Sequence, residues 1–342
     1  MLSAGVCGTD LQILRRTRND PTSILGHEGV GRVLTVGDGA NGWRPGDKVT
    51  FNPTSRYKPN RILGHTIEGV FQQFVLFSAA DLSEGMVQKV SADLPNSLCA
   101  LIEPLATVVY AQGLVRTAIS VNSVAIFGAG TIGLLEALLW RITGVRQILV
   151  LHPSQERLRW TVSQGISEAS DVFCTAAGPD ETVSWLLRST SGLGVDAACL
   201  CTPSTGTMSA LQVALRAVRP EGCIDLFGGV PESANSPWLP GVDLGGIRRA
   251  NLCGLTIDTP YVHVVTPDKC PLWLTGHRGA GAQHTQAALE LLQRYPALFS
   301  PLITQVVSMR RAADALSLHA RTGIRRLLDE EWIKLVIDFN LK

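Results

Sequence analysis

Several signals are missing from this chain of 342 residues. Its eight cysteines (Cys7, Cys99, Cys174, Cys199, Cys201, Cys223, Cys253 and Cys270) contain no Cys-x-x-Cys pair, which argues against a zinc ribbon or a dithiol redox motif. Scattered through so long a chain, they do not read as a disulfide framework either. Charge of one sign is also lacking. Thirty Lys and Arg face 29 Asp and Glu, for a net charge of +1, so no basic field exists to hold nucleic acid. No block of like charge reads as a tail. Long apolar runs are missing too. The most apolar stretch, residues 123–140, holds Glu136 and three glycines and is too short to span a bilayer. No charged start followed by an apolar run marks a signal segment, so a cytoplasmic location without membrane attachment is expected. Neither internal repeats nor low-complexity segments occur.

What is present suits a compact chain with more than one core. Hydrophobic residues make up 45% and charged residues 17%, and the length favours two domains. Residues 1 to about 104 read as β-rich, with Gly, Pro, Asp and Asn between short apolar runs. Strands are expected at 29–36, 48–51 and 71–77. From about 105 the period changes. Strands at 124–127, 147–151, 195–200 and 223–227 alternate with helices at 131–143, 153–164 and 207–217. That alternation predicts a doubly wound parallel sheet with helices on both faces. A helix at 282–293 and a closing strand at 332–339 follow.

Three short segments carry metal-ligating residue types: Cys7-Gly8-Thr9-Asp10, Gly26-His27-Glu28-Gly29 and Glu103-Pro104-Leu105. A thiolate, an imidazole and carboxylates form a mixed donor set that Zn²⁺ accepts. Each residue alone is bland, since a lone buried cysteine is usually packing and a lone His or Glu is usually solvated or satisfied in the core. Downstream, Gly128-Ala129-Gly130-Thr131-Ile132-Gly133 follows an expected strand and opens an expected helix. Gly128 permits a tight turn, Gly130 admits a pyrophosphate close to the backbone, and Gly133 lets the helix pack on the strand. The amides of Thr131 and Ile132 then face the phosphates at the helix start. His152 stands where an acidic ribose ligand is expected, and Arg157 is either a helper for a 2′-phosphate or an exposed helical arginine. A metal donor set followed by a nucleotide loop implies hydride chemistry at a Lewis acid.

Together these segments resemble the zinc-dependent medium-chain alcohol and polyol dehydrogenases, of the sorbitol, threonine and cyclitol type. The matching pieces also include residues 44–49 (Arg-Pro-Gly-Asp-Lys-Val), 218–222 (Val-Arg-Pro-Glu-Gly) and 333–337 (Ile-Lys-Leu-Val-Ile), in the family's order and nearly over the whole chain. The resemblance implies an α/β protein with a GroES-like β domain at 1–104, a Rossmann domain at 105–245, and a return to the catalytic domain at 246–342. It implies one catalytic Zn²⁺ held by Cys7 and His27, then Glu28, then Glu103. Asp10 would orient His27, and Thr9 would pass the alcohol proton outward. NAD(H) is expected rather than NADP(H), with a small polyol, cyclitol or amino alcohol as substrate and a homodimer or homotetramer as the assembly. His65 is expected to line the cleft or the surface. The segment 275–279 either places polar groups near the cleft or forms a surface turn.

Three departures from the family pattern stand out. Cys7 lies close to the start, so that either the gene model is truncated or the β domain has fewer strands and a raw edge. Residues 52–59 carry no cysteines where many members hold a second ion, so no structural zinc is expected. His152 replaces the acidic residue after the second strand of the nucleotide-binding domain. A zinc-free NADPH reductase of the same superfamily and a non-catalytic nucleotide-binding protein remain as alternative readings.

Overall fold

The computed structural model describes residues 1–55, 57–230, 236–256, 258–327 and 330–341. Of the segment 52–59, Arg56 lies outside the described residues. The chain divides into two compact units. One joins Met1–Thr107 to Gly279–Lys342, and the other is Val108–Arg278.

The first unit is built on a six-stranded sheet. Its order is Ile303–Val307, Lys334–Asp338, Ser3–Gly5, Glu28–Arg32, Lys48–Phe51, Val87–Lys89. The first pair runs parallel and the others antiparallel. Ser3–Gly5 is thus an interior strand, paired on both sides, and the edges fall on Ile303–Val307 and Val87–Lys89. Alternation along the closing strand sends Leu335 and Ile337 into a core with Val6, Leu11, Val307 and Trp332. A second cluster gathers Ala4, Val49, Phe51, Leu63, Val70 and Val87.

Two strand expectations fail here. The strand expected at 29–36 ends at Arg32, and residues 71–77 form no strand. Both segments alternate, but alternation supplies side chains for a face, not partners for N–H and C=O groups. Leu34, Phe74 and Leu76 are instead exposed, and they help line a groove of about 640 Å³ with Met1, Val36 and Phe77.

The second unit carries a seven-stranded sheet in the order Tyr261–Val265, Pro271–Thr275, Val218–Asp225, Val195–Leu200, Ser123–Phe127, Gln147–His152, Val172–Cys174. All neighbours are parallel except the pair of Tyr261–Val265 and Pro271–Thr275. Val195–Leu200 is buried at every position, as expected of a sheet covered on both faces. The strand order reverses between Ser123–Phe127 and Val195–Leu200, which is the switch point where such sheets take ligands. Residues 246–278, assigned above to the return segment, extend this sheet by two strands and so belong with the second unit. Among the described residues no helix is long and apolar enough to cross a membrane.

Candidate active site

Cys7 precedes the first turn of the helix Gly8–Leu14, with extended backbone at φ −92° and ψ 157°. Asp10, in that first turn, is wholly buried. Its carboxylate accepts the N–H of Cys7 at 2.9 Å and the N–H of Gly26 at 3.1 Å. One side chain therefore ties the cysteine loop to the loop that presents His27. His27 Nδ1 lies 3.8 Å from Asp10 Oδ1, too far for a hydrogen bond, and finds no hydrogen-bond partner among the described residues. Glu28 opens the strand Glu28–Arg32 and points to the same place. One ligand atom each from Cys7, His27 and Glu28 lies within 4.8 Å of the others.

Lys334 enters this group, and the sequence reading did not single it out. It is 1% exposed, and its ammonium bonds Glu28 Oε2 and donates to the Val6 carbonyl at 3.2 Å. Gly5, opposite Glu28 in the sheet, leaves room for the pair. A Cβ there would sit 2.6 Å from both Glu28 Oε2 and Lys334 Cε. The available signal was a single lysine inside the apolar run 332–339. His65 also belongs here and is not a surface residue. It is buried, its ring centroid lies 4.8 Å from that of His27, and its Nδ1 is 3.4 Å from Asp20.

Electrostatics follow from this crowding. Burial works against a charged His27, but Cys7, Asp10 and Glu103 together raise its pKa well above the ordinary imidazole value. Burial and the His27 and Arg18 charges push His65 down to about 3, leaving it neutral. Burial raises the Asp10 carboxyl. Glu103, half-buried in the first turn of the helix Ile102–Ala118, is lifted to about 7, chiefly by burial and against the pull of His27. The Thr9 hydroxyl is buried with no hydrogen-bond partner among the described residues. A carboxylate, a thiol and an imidazole with an unsatisfied nitrogen suit a divalent ion of the zinc class, and Glu103 is not among the three side chains that gather there.

In the second unit, the glycine loop sits between Ser123–Phe127 and the helix Thr131–Ile142, with Gly130 at the N-cap. Gly128 has φ +118°, and a Cβ on it would meet the Cys201 carbonyl oxygen at 2.5 Å. A Cβ on Gly133 would lie 1.7 Å from the Gly128 carbonyl oxygen, so helix and loop touch there. Nothing lies within 4 Å of a Cβ placed on Gly130, whose outer side is open. Thr131 and Ile132 begin the helix and are partly exposed.

His152 ends Gln147–His152, and its Nδ1 accepts the Ser154 N–H at 3.0 Å. Arg157 corrects the expectation of an exposed arginine. It is 4% exposed, and its guanidinium reaches the Ala129 carbonyl at 3.4 Å, bracing the glycine loop from beneath. The segment 275–279 is no surface turn at its start, since Thr275 and His277 are buried.

Residues 1–86 match the alcohol dehydrogenase GroES-like domain family. The chain is 29% identical over 250 residues to the L-threonine 3-dehydrogenase of Pyrococcus furiosus, a match spanning 68% of each. It is 29% identical over 272 residues to the sorbitol dehydrogenase of Rattus norvegicus, spanning 73% of each. In fold it resembles the galactitol-1-phosphate dehydrogenase of Escherichia coli, with TM-score 0.73, 21% identity, and coverage of 98% of this chain and 90% of that one. An alcohol dehydrogenase of Thermotoga maritima matches with TM-score 0.72 and 22% identity, covering 98% of this chain and 90% of that one.

Proposed function

The chain belongs to the medium-chain alcohol and polyol dehydrogenase family, and from that premise we propose that it is a zinc-dependent, NAD(H)-linked enzyme interconverting a secondary alcohol and its ketone. The observation that carries this reading is the convergence of Cys7, His27 and Glu28 on one point from two separate loops of the sequence. When bound, zinc supplies Lewis acidity toward the substrate oxygen, and the nicotinamide ring accepts the hydride.

The remaining work falls to side chains of this protein. Cys7 and His27 would hold the ion first, then Glu28, whose carboxylate gathers with them, and then Glu103. Asp10 keeps both ligand loops in register through its two backbone hydrogen bonds. Lys334 neutralises Glu28 in a site too dry to leave a carboxylate unpaired. Thr9 moves the alcohol proton outward through a hydroxyl free to bond.

Cofactor choice rests on the glycine loop and on His152. Gly128, Gly130, Thr131, Ile132 and Gly133 form the pyrophosphate cradle, and Arg157 stiffens it. Because His152 Nδ1 accepts a backbone N–H, the neutral ring carries its proton on Nε2, at the strand end where the ribose is expected. A polyol, cyclitol or amino alcohol is the substrate class, and a homodimer or homotetramer is the assembly. The test is a cofactor-reduction screen over sugar alcohols, cyclitols and amino alcohols with NAD⁺ and NADP⁺, run beside metal analysis. Turnover with NAD⁺ that vanishes in Cys7→Ala is the expected result. Wild-type turnover in that variant would sink the assignment.

A further inference from the structure

A second group of buried metal-ligating side chains lies within the Val108–Arg278 unit, and the mechanism above makes no use of it. Glu136 comes from the middle of the helix Thr131–Ile142, Cys199 from the strand Val195–Leu200, and Asp225 from the end of Val218–Asp225. Cys199 and Asp225 stand opposite each other in the parallel ladder, so their side chains share one face of the sheet. One ligand atom from each of the three lies within 4.8 Å of the others. Cys199 Sγ is 3.9 Å from Glu136 Oε2. Glu136 and Asp225 are 0% exposed and Cys199 is 1% exposed.

The polar satisfaction of this group is incomplete. Both carboxylate oxygens of Asp225 and Oε1 of Glu136 have no hydrogen-bond partner among the described residues. Gln112 donates its amide to Glu136 Oε2 at 2.8 Å and to the Glu136 carbonyl at 3.1 Å, while its own Oε1 has no partner. Each such buried orphan costs about 1–3 kcal/mol. The nearest cationic influence on Asp225 comes from Arg248, whose guanidinium donates to the Phe227 carbonyl at 3.2 Å. Strand positions in a doubly covered parallel sheet are ordinarily Val, Ile, Leu or Ala. Two carboxyls and a thiol on one spot therefore call for a neutralising partner, either protons or a cation.

We propose that Glu136, Cys199 and Asp225 form a structural site for a divalent transition-metal ion of the zinc class, inside the nucleotide-binding unit. Ligand chemistry selects the ion. A thiolate with two carboxylates suits zinc, whereas calcium and magnesium take six or more oxygens and shun sulfur. Gln112 Oε1, on the amide that bonds Glu136, offers a neutral fourth ligand. The ion would replace protons whose binding to the thiol and to both carboxyls is favoured by burial. No bond other than those to the metal forms. Such a site would pin the helix that follows the glycine loop to two central strands. Being enclosed, it would fill as the chain folds. It is separate from the residues 52–59, where the family's second ion is expected and no cysteines stand.

The test is metal counting on the full chain, refolded in zinc and freed of loosely held ion. Wild-type protein is expected to hold about two ions, Cys199→Ala about one, and the Cys7→Ala/His27→Ala double variant about one. Cobalt loading gives a second measurement. The double variant should show thiolate-to-cobalt charge transfer that Cys199→Ala, added to it, abolishes. Wild-type protein holding one ion that Cys199→Ala leaves in place overturns this proposal and leaves the active-site reading intact. An ion lost with Cys199 but not with Cys7 and His27 supports this site and overturns the other. Should the double variant fail to fold, the drop from wild type to Cys199→Ala decides alone. Carboxyls that merely share protons would give no change in metal content, and that outcome too overturns it.

Discussion

Two buried polar clusters sit in the two units, and they are balanced in opposite ways. In the first, the two most deeply buried carboxylates have counterparts supplied by the fold. Glu28 meets Lys334, and Asp10 accepts two backbone N–H groups. In the second, Glu136 and Asp225 leave three of their four oxygens unbonded. The contrast teaches how to separate a site built around a reaction from one built around an occupant. The first is braced before anything binds, so its ligands are held in place for repeated turnover. The second gains its balance only from what enters it.

The largest way to break that contrast is at the first site. Cys7→Ala removes the sulfur donor while Asp10 still organises the loops, so the fold should survive and the chemistry should not. A loss of about 10³-fold in kcat/KM is expected, the scale of removing a preorganised electrostatic group. Steady-state kinetics beside circular dichroism checks both halves.

Lys334→Met comes next. It leaves Glu28 buried and unpaired at the start of its strand, and such breakage costs about 3–5 kcal/mol. Denaturant unfolding should show the drop. The double variant Glu28→Gln/Lys334→Met should recover most of it, because the stranded charge goes with the lysine. A Lys334→Met protein as stable as wild type would show that the pairing carries no weight.

The second unit predicts the reverse sign. In metal-free protein kept under chelator, Asp225→Val removes two orphaned oxygens at little change in volume, and stability should rise by about 1–3 kcal/mol. In zinc-loaded protein the same change should destabilise. Urea midpoints measured with and without chelator give both numbers, and a sign that does not switch argues against the ion.

These contrasts also explain what could be read from the sequence. Local period sufficed for the nucleotide unit, since strand, glycine loop and helix are neighbours in the chain. The loop glycines can be read from spacing because their backbone roles are local: φ +118° at Gly128 and a 1.7 Å encounter at Gly133. Cys7, His27 and Glu28 were readable through motif and resemblance. Lys334 was not, because its partner lies 306 positions away and only the sheet order brings them together. Arg157 was misjudged for a related reason. Helical periodicity locates a face but not what covers it, and here the Ala129 loop does. Residues 71–77 show the limit from the other side, with a strand-like pattern and no strand beside it to take its hydrogen bonds.

The smallest expected effect concerns a histidine outside both clusters, where burial is the cause of the shift. His284, in the first turn of the helix Ala282–Arg294, accepts the Gly281 N–H on Nδ1, and burial lowers its pKa to about 4. The folded chain therefore binds this proton less readily than the unfolded chain does. The stabilisation is fully present above the unfolded pKa of about 6.5 and is lost as pH falls toward 4. His284→Gln keeps an acceptor for Gly281 without a titrating group. Wild type should lose more melting temperature than this variant between pH 7 and 5, by no more than about 2–4 °C, because solvent screens a partly exposed ring. Equal losses would mean that the ring titrates alike in the folded and unfolded chain, and that burial does not set the acid response of this helix end.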